Sequence, residues 1–337
     1  MRSPRLPLDS PPPEIAPLPE RLRRRAGALV FDNLYRALAT GARLHPLARP
    51  ARHGVEVLRN IPYRPSRHDA HRLDVYRPTG GPGPWPVVLY VHGGAFRILS
   101  KDTHWVMGLG FARRGYLVFN INYRLAPRHP YPAAIEDACE ALVWAMKHAA
   151  DYGGDPRRLV LAGESAGANL ATALAVTSSY RRPEGFARAV FDAGVRPRAV
   201  VAACGILQVS DARRFARRKR LPGWLYDRLV EPSEAYLGGL VDPHPERELA
   251  DPLLILERGE PPERPLPPFF APVGTRDPLL DDTRRLKAAL DRLGARCEAR
   301  YYPGEVHAFH AMVFLPNARR CWGELYDFLG EHVPPGE

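Results

Sequence analysis

The stretch Arg158-Leu-Val-Leu-Ala-Gly-Glu-Ser-Ala-Gly-Ala-Asn-Leu170 carries the clearest structural signal in the chain. Its apolar run up to Ala162 is typical of a strand buried on both faces. Gly163-Glu-Ser165-Ala-Gly167 follows at once, and a helical pattern extends from Ala166 to Ser178. The small residues permit a sharp strand-to-helix turn that exposes Ser165, although this motif alone also fits an ordinary glycine-rich turn.

The same alternation of apolar runs and helical patterns extends over most of the chain. Near its start, Val55 to Ile61 and Leu73 to Tyr76 alternate like antiparallel strands. Further strands are predicted at Pro86–Val91, Tyr116–Ile121, Val200–Cys204, Phe269–Val273 and Cys297–Tyr302. Further helices are predicted at Thr103–Arg113, Ala133–Ala149, Asp281–Leu293 and Pro316–Leu329. This order predicts an α/β protein with a mostly parallel central sheet and helices on both faces.

The composition is that of an ordinary globular protein. The chain has 337 residues, of which 45% are hydrophobic and 25% are charged, and these values exclude a disordered chain, a coiled coil and a disulfide scaffold. The net charge of +11 is concentrated in residues 1–60 and in Asp211 to Arg220. Because these segments look peripheral and the sequence has no helix-turn-helix, finger or aromatic-interleaved basic face, we expect neither nucleic-acid binding nor attachment to an anionic membrane.

The cysteines and the N-terminus bear on the compartment. Cys139, Cys204, Cys297 and Cys321 are far apart and form no CxxC pair, so we expect buried free thiols in a reducing compartment. The proline-rich start builds no apolar core of a signal peptide, and no apolar stretch is long enough to span a membrane. The sequence predicts a cytoplasmic protein without an integral membrane segment and leaves a homodimer open.

A second motif, His92-Gly93-Gly94-Ala95-Phe96, directly follows the predicted strand that ends at Val91. Acyl transfer requires hydrogen-bond donors directed at the oxyanion that develops on the carbonyl oxygen. A glycine-rich loop at a strand end offers bare backbone N–H groups, and the N–H of Ala166 would be their partner. A turn that merely requires small residues is the alternative. Together the two motifs predict a nucleophilic serine with an oxyanion hole at Gly93, Gly94, Ala95 and Ala166, in which Gly93 shapes the loop.

The general base and its carboxylate partner are expected in the chain order serine, acid, histidine. Asp277 follows one predicted strand and His307 follows the last one, and open α/β sheets build their sites at such strand ends. Asp281 and Asp282 compete with Asp277, which lies nearest to the strand end, and Asp282 is predicted to be the N-cap of the next helix. His310 competes with His307 but lies further into the following segment.

No cofactor and no metal are predicted. The histidines show no HExxH motif or comparable spacing. His68-Asp-Ala-His71 is the best candidate for a metal site, and we expect these histidines to be structural or at the surface.

These motifs resemble the hormone-sensitive-lipase-like branch of the α/β-hydrolases, whose bacterial-type members are carboxylesterases. The resemblance extends over about residues 55–330 and rests on His92–Phe96, Tyr123–Ala134, Gly163–Leu170, Asp277–Leu279 and His307. It implies the α/β-hydrolase fold and a carboxylic ester hydrolase with Ser165, Asp277 and His307 as its catalytic triad. It also implies a helical cap made from an N-terminal arm and an insertion.

The predicted organisation of the chain follows from this resemblance and from the composition. Residues 1–19 form a flexible lead-in, and residues 20–54 form the cap arm with an amphipathic helix over about 20–40. Residues 55–207 and 266–337 form the catalytic domain. The Arg-rich and then Pro-rich segment 208–265 interrupts the alternation and is the cap insertion.

Three positions depart from the family's pattern. Ala95 stands where the family usually has a glycine, and its methyl group is expected to crowd bulky alcohol or acyl groups. Arg128 stands where an acid is usual, which affects a local ion pair but not the chemistry. Glu164 precedes the serine where the family commonly has aspartate.

The expected activity is hydrolysis of short- to medium-chain esters through an acyl-enzyme, with a small-molecule ester as substrate. The same triad also suits acyl transfer, amide hydrolysis or deacetylation of a natural product, because nothing in it distinguishes water from another acceptor. A non-catalytic ligand-binding protein on the same fold is a third alternative, and the intact Ser165, Asp277 and His307 argue against it.

Overall fold

A computed structural model describes residues 33, 36–81, 83–211, 214–215, 223–238 and 245–335 of the protein. Within these ranges the chain forms one mixed sheet. Its strands are β1 (Val55–Pro62), β2 (Arg72–Pro78), β3 (Trp85–Val91), β4 (Leu117–Ile121), β5 (Gly154–Glu164), β6 (Ala199–Ala203), β7 (Phe269–Gly274) and β8 (Cys297–Tyr302). They lie in the order β1-β2-β4-β3-β5-β6-β7-β8.

The sheet is antiparallel at one end and parallel elsewhere. Strand β2 is antiparallel to both β1 and β4, whereas β4-β3-β5-β6-β7-β8 are all parallel. The central strands are apolar along their length because helices cover both faces; every residue of β4 and β7 is buried. Val91 of β3 pairs with Gly163 of β5, so the loop after β3 lies beside the turn after β5.

Helices cover both faces of the sheet. They are α1 (36–43), α2 (Trp105–Ala112), α3 (Ala133–His148), α4 (Ala166–Ser179), α5 (Gly185–Asp192), α6 (Gly223–Tyr236), α7 (Pro252–Glu257), α8 (Leu280–Arg292) and α9 (Pro316–His332). A large hydrophobic cluster joins α3, α4 and α8 to one face, and a smaller cluster joins α2 and α9 to the other. The predicted α/β architecture is confirmed. No helix in the described ranges has the length and apolar character needed to cross a membrane.

Some predicted features fall outside the described residues. The lead-in 1–19 lies outside them altogether, and of the helix predicted over about 20–40 only its last part is described, within α1. Helix α5 has no counterpart among the predicted helices. It is eight residues long and buries only Ala187, Val190 and Phe191, which is too short a pattern to establish a helical period.

Among its contacts with the rest of the molecule, the segment between β6 and β7 packs its helices α7 and α6 at separate places. Leu253 and Leu256 of α7 are buried in the large hydrophobic cluster. At the other place, the ring of Tyr236 in α6 stacks on Phe96 with 3.9 Å between ring centroids. The second contact is next to the loop after β3, where the candidate oxyanion hole lies.

Candidate active site

Ser165 lies in a sharp turn between β5 and α4. Its backbone has φ 54° and ψ −117°, a conformation that is strained for a residue with a side chain. A Cβ atom on Gly163 would lie 2.5 Å from the backbone of Gly167, and one on Gly167 would lie 2.0 Å from the carbonyl oxygen of Val91. Both positions therefore require glycine, and the tight packing holds Ser165 at the carboxyl edge of the sheet.

The loop after β3 runs beside this turn. Gly94 has φ 111° and Ala95 has φ 55°, and a Cβ atom on Gly94 would lie 2.1 Å from a backbone oxygen. Among the described residues, the amides of Gly94, Ala95 and Ala166 have no hydrogen-bond acceptor. The Gly93 amide instead donates to Oε1 of Glu164 over 2.5 Å. Three of the four predicted oxyanion-hole residues thus keep an available N–H group, and Gly93 anchors the loop.

Asp277 and His307 meet at the same edge, after β7 and β8. Nδ1 of His307 lies 2.9 Å from Oδ2 of Asp277, and the buried carboxylate also accepts from the N–H of Leu279 over 2.8 Å. Because a carboxylate only accepts, Nδ1 carries the proton and Nε2 is left as the acceptor. Burial lowers the pKa of His307, but the charge of Asp277, the neighbouring thiol of Cys204 and the hydrogen bonds to both side chains together hold this pKa well above its usual value.

Two of the competing residues have other surroundings. His310 is buried, its Nδ1 has no hydrogen-bond partner in the described part of the chain, and burial lowers its pKa to about 4. Asp281 makes a partly exposed ion pair with Arg284 at 3.3 Å. Within the described part of the chain, His310 makes no ion pair with a carboxylate and Asp281 makes none with a histidine.

Asp282 is not the N-cap of the helix that follows, so that prediction was wrong. Helix α8 begins at Leu280, and Asp282 lies inside its first turn. Its buried carboxylate accepts from the backbone N–H of Leu207 over 2.9 Å and pairs with Arg214 at 2.6 Å. The donors come from the segment after β6, which a local capping pattern does not include.

Glu164 links the turn at Ser165 to two other segments. Besides accepting from Gly93, Oε1 of Glu164 lies 2.7 Å from Nε2 of His104. Burial raises the pKa of Glu164 to about 8 and lowers that of His104 to about 4. Nδ1 of His104 lies 3.0 Å from the carbonyl oxygen of Ser100, so this nitrogen donates and Nε2 accepts. The proton between the two side chains therefore belongs to Glu164.

The Arg128 position plays no part in this cluster. Arg128 is exposed, and the ion pairs of its segment are made by Arg124. The Arg124 guanidinium bonds to Asp137 at 2.7 Å and to Glu136 at 2.5 Å. Among the described residues, the ion pairs of this segment are therefore made without Arg128.

Two groups of three potential metal ligands occur among the described residues. They are Cys204 with Asp277 and His307, and Glu298 with Glu331 and His332. In the second group, Arg296 already pairs with both carboxylates. His68 and His71 belong to neither group, and Nε2 of His71 faces Asp137 at 3.3 Å. The four cysteines are buried and free, as predicted.

His104 and Cys204 are the site residues that sequence analysis missed. Cys204 ends a predicted strand, and its place at a carboxyl strand end was a usable signal. Burial raises the pKa of its thiol, so it is not a second nucleophile at neutral pH. Nothing in the local pattern around His104 connects it with Glu164, because the two residues are far apart in the chain.

Comparison with known proteins gives consistent matches. A family model described as the alpha/beta hydrolase fold matches residues 88–311. The carboxylic ester hydrolase LipN of Mycobacterium tuberculosis is 33% identical over 273 residues, 80% of this chain and 67% of LipN. The carboxylesterase NlhH of the same species is 31% identical over 243 residues, 71% of each chain. The crystal structure of esterase LipW from Mycobacterium marinum matches with a TM-score of 0.69 and 27% identity over 90% of both chains.

These matches establish the class of protein that the fold and the motifs define. The chain belongs to the α/β-hydrolase family. Within that family it is a member of the hormone-sensitive-lipase-like branch of bacterial-type carboxylesterases, as the motifs indicated.

Proposed function

We propose that this protein is a serine carboxylic ester hydrolase with Ser165, His307 and Asp277 as its catalytic triad. The observation that carries the proposal is the 2.9 Å contact between Nδ1 of His307 and Oδ2 of Asp277, at the sheet edge where the strained turn holds Ser165. The carboxylesterase activity named for LipN and NlhH supports the same reaction class.

In the proposed reaction, Oγ of Ser165 attacks the ester carbonyl while Nε2 of His307 takes its proton. Asp277 stabilises the imidazolium, and the free amides of the loop after β3, together with that of Ala166, donate to the oxyanion. His307 returns the proton to the departing alcohol, which leaves an acyl-enzyme. Water, deprotonated by His307, then attacks the acyl group, releases the acid and restores Ser165.

We propose that residues 20–54 and 208–265 form a cap over this site, with residues 55–207 and 266–337 as the catalytic domain. The stacking of Tyr236 on Phe96 and the ion pair between Arg97 and Glu231 support this arrangement. They bring α6 against the loop after β3. A site covered in this way, with the methyl group of Ala95 beside the oxyanion, favours esters with short to medium acyl chains.

We further propose a cytoplasmic location, since a reducing compartment keeps buried free cysteines in the thiol form. The proposed partner is a small ester, and the chain needs no nucleic acid for the reaction. Strands β1 and β8 are the outer strands of the sheet, and a homodimer would form at such an edge.

The test is hydrolysis of p-nitrophenyl esters from acetate to long-chain acyl groups. The wild type is compared with Ser165→Ala and with Ser178→Ala. Ser178 is a matched control because its buried hydroxyl bonds to the carbonyl of Leu174 over 2.8 Å in the same helix. We expect the wild type and Ser178→Ala to cleave short and medium esters, and Ser165→Ala to lose at least about 10³-fold in kcat.

Each outcome has a clear meaning. A profile that falls off beyond medium chains supports the cap proposal. A folded wild type that cleaves none of the esters contradicts the proposed activity and redirects the search to acyl transfer, amide hydrolysis or ligand binding. A Ser165→Ala variant with wild-type turnover contradicts the assignment of the nucleophile.

A further inference from the structure

Cys204 occupies a constrained position beside the catalytic histidine. It follows β6 directly, its backbone has φ 39°, and its N–H donates to the carbonyl oxygen of Pro272 in β7 over 2.9 Å. A positive φ at a residue with a side chain is strained and is maintained by the surrounding structure. This backbone directs the thiol into the space between the ends of β6, β7 and β8.

Three different ligand atoms meet in that space. The thiol of Cys204, an oxygen of Asp277 and a ring nitrogen of His307 all lie within 4.8 Å of one another. In a tetrahedral zinc site the ligand atoms are about 3.4–3.7 Å apart, as bond lengths of about 2.0–2.3 Å require. Side-chain movements of about 1 Å would close this group around a cation. The His307 side chain is 36% exposed, which provides entry for the cation and a fourth position for water.

We propose that Cys204, His307 and Asp277 form a binding site for a thiophilic divalent cation such as Zn²⁺ or Cd²⁺, and that an occupied site switches the enzyme off. The cation replaces the thiol proton, which passes to solvent, and takes a lone pair of the imidazole. If it binds Nε2, the base has no lone pair left; if it binds Nδ1, the remaining ring proton sits on Nε2. Either way His307 no longer accepts the proton of Ser165.

The ligand set also defines which cations are excluded. A thiolate and an imidazole favour zinc and cadmium, whereas magnesium and calcium prefer sites made of oxygen ligands. The site therefore selects zinc and cadmium over magnesium and calcium. A cation bound there acts as an inhibitor and not as a cofactor of the reaction. The inhibition rests on the proposed function, whereas the binding of the cation does not.

The first arm of the experiment measures inhibition of p-nitrophenyl butyrate hydrolysis by Zn²⁺, with each variant compared with its own rate in the presence of EDTA. Cys204→Ser and Cys204→Ala remove the proposed sulfur ligand. Cys321→Ala is the matched control, because Cys321 is also a buried free thiol but belongs to neither ligand group. We expect the half-inhibiting Zn²⁺ concentration to rise at least tenfold in both Cys204 variants and to stay unchanged in Cys321→Ala. Mg²⁺ should not inhibit.

The second arm measures binding without activity. Calorimetry on Ser165→Ala should show one Zn²⁺ per chain, and Cd²⁺ should produce an ultraviolet thiolate-to-metal absorption band that Cys204→Ser abolishes. Equal inhibition of the wild type and both Cys204 variants, or binding that survives in them, overturns the site. A wild type that binds Cd²⁺ through Cys204 but cleaves no ester overturns the proposed function and leaves the site standing.

Discussion

Glu164 performs two tasks with a single oxygen atom. Its Oε1 accepts from the N–H of Gly93 over 2.5 Å and lies 2.7 Å from the accepting Nε2 of His104. A carboxylic acid satisfies both neighbours, because its hydroxyl oxygen both donates and accepts. The anion would place two acceptors against each other in a buried site, which is unfavourable. The protonated acid is therefore the form that holds the loop after β3 against the turn at Ser165.

We predict that Glu164→Gln lowers kcat by about 10- to 100-fold and changes KM much less. No single atom of an amide both donates and accepts, so the loop that carries the Gly94 and Ala95 amides shifts away from the oxyanion. Glu164→Asp keeps the carboxyl group and should retain more activity than Glu164→Gln. Steady-state kinetics with a p-nitrophenyl ester decide the matter, and an unchanged kcat in Glu164→Gln would contradict the positioning role.

The same group predicts a decline at alkaline pH. Burial raises the pKa of Glu164 to about 8, so the acid form is present below this pH and kcat of the wild type should fall above it. Because an unfolded chain loses this proton near pH 4.5, the free energy of unfolding should also fall from pH 4.5 to 8 relative to Glu164→Gln. The pH profiles of kcat and of the melting temperature test both. A Gln variant with the same two profiles as the wild type would argue against the assignment.

Asp277 sets the acid side of the profile. Its charge helps to hold the pKa of His307 above the usual value, and His307 accepts a proton only when neutral, so kcat/KM should rise with pH through that pKa. Asp277→Asn should lower kcat by about 10⁴-fold and move the rise to lower pH, because the charge that favours the imidazolium is gone. Asp281→Asn, in the first turn of α8, is the control and should keep both the rate and the profile.

At the scale of elements, two buried carboxylates hold the segment that leaves β6. Asp282 of α8 accepts from the N–H of Leu207 over 2.9 Å, and Asp251 accepts from the N–H groups of Val209 and Ser210 over 2.5 and 3.0 Å. In the described part of the chain these amides do not pair with a neighbouring strand. The carboxylates of other elements accept their hydrogen bonds instead. The path from the sheet into the insertion is therefore fixed by buried polar contacts.

We predict that Asp282→Ala destabilises the protein by about 3 kcal/mol, because it leaves the Leu207 amide and the Arg214 guanidinium without their partner. Asp281→Ala removes a partly exposed ion pair with Arg284 and should cost less than about 1 kcal/mol. Denaturant unfolding of the two neighbouring variants gives the comparison. Equal losses would show that the Asp282 contacts contribute nothing beyond a surface pair.

At the scale of the whole molecule, the segment between β6 and β7 reaches the loop after β3 through α6. Tyr236 stacks on Phe96 at 3.9 Å between ring centroids, and its carbonyl oxygen accepts from the N–H of Tyr131 over 2.7 Å. The two parts of the molecule thus share a buried aromatic contact next to the site. We expect a change in this contact to alter both the stability of the protein and its preference among acyl chains.

We predict that Tyr236→Ala lowers stability by about 3 kcal/mol, through the cavity it leaves, and reduces kcat/KM about tenfold more for butyrate than for acetate esters. Tyr236→Phe keeps the stacked ring and removes a hydroxyl that has no hydrogen-bond partner within the described ranges, so it should match the wild type. Melting temperatures and the acyl-chain profile of the three proteins provide the test. Parallel losses for both esters would show that the contact stabilises the fold without shaping the pocket.

The features that the sequence alone determined are local in origin. Apolar runs such as Pro86–Val91 identify the buried strands, because the side-chain pattern of a few consecutive residues records which faces are covered. The motif at Ser165 could also be found locally, because Gly163, Ser165 and Gly167 are close together in the chain, although one of the atoms that require these glycines is the carbonyl oxygen of Val91 in β3. The chain order of Ser165, Asp277 and His307 could be predicted because each follows a strand and parallel strands end at one edge.

The tertiary structure alone decided the contacts between residues that are distant in the chain. The proton on Glu164 depends on His104, the location of the Cys204 thiol depends on the turn after β6, and the role of Asp282 depends on amides that follow β6. Each of these polar groups is buried, and a buried polar group takes its partner and its charge from whatever the fold brings next to it. A local sequence pattern can identify a candidate residue, but only the packed fold shows which atoms its side chain contacts.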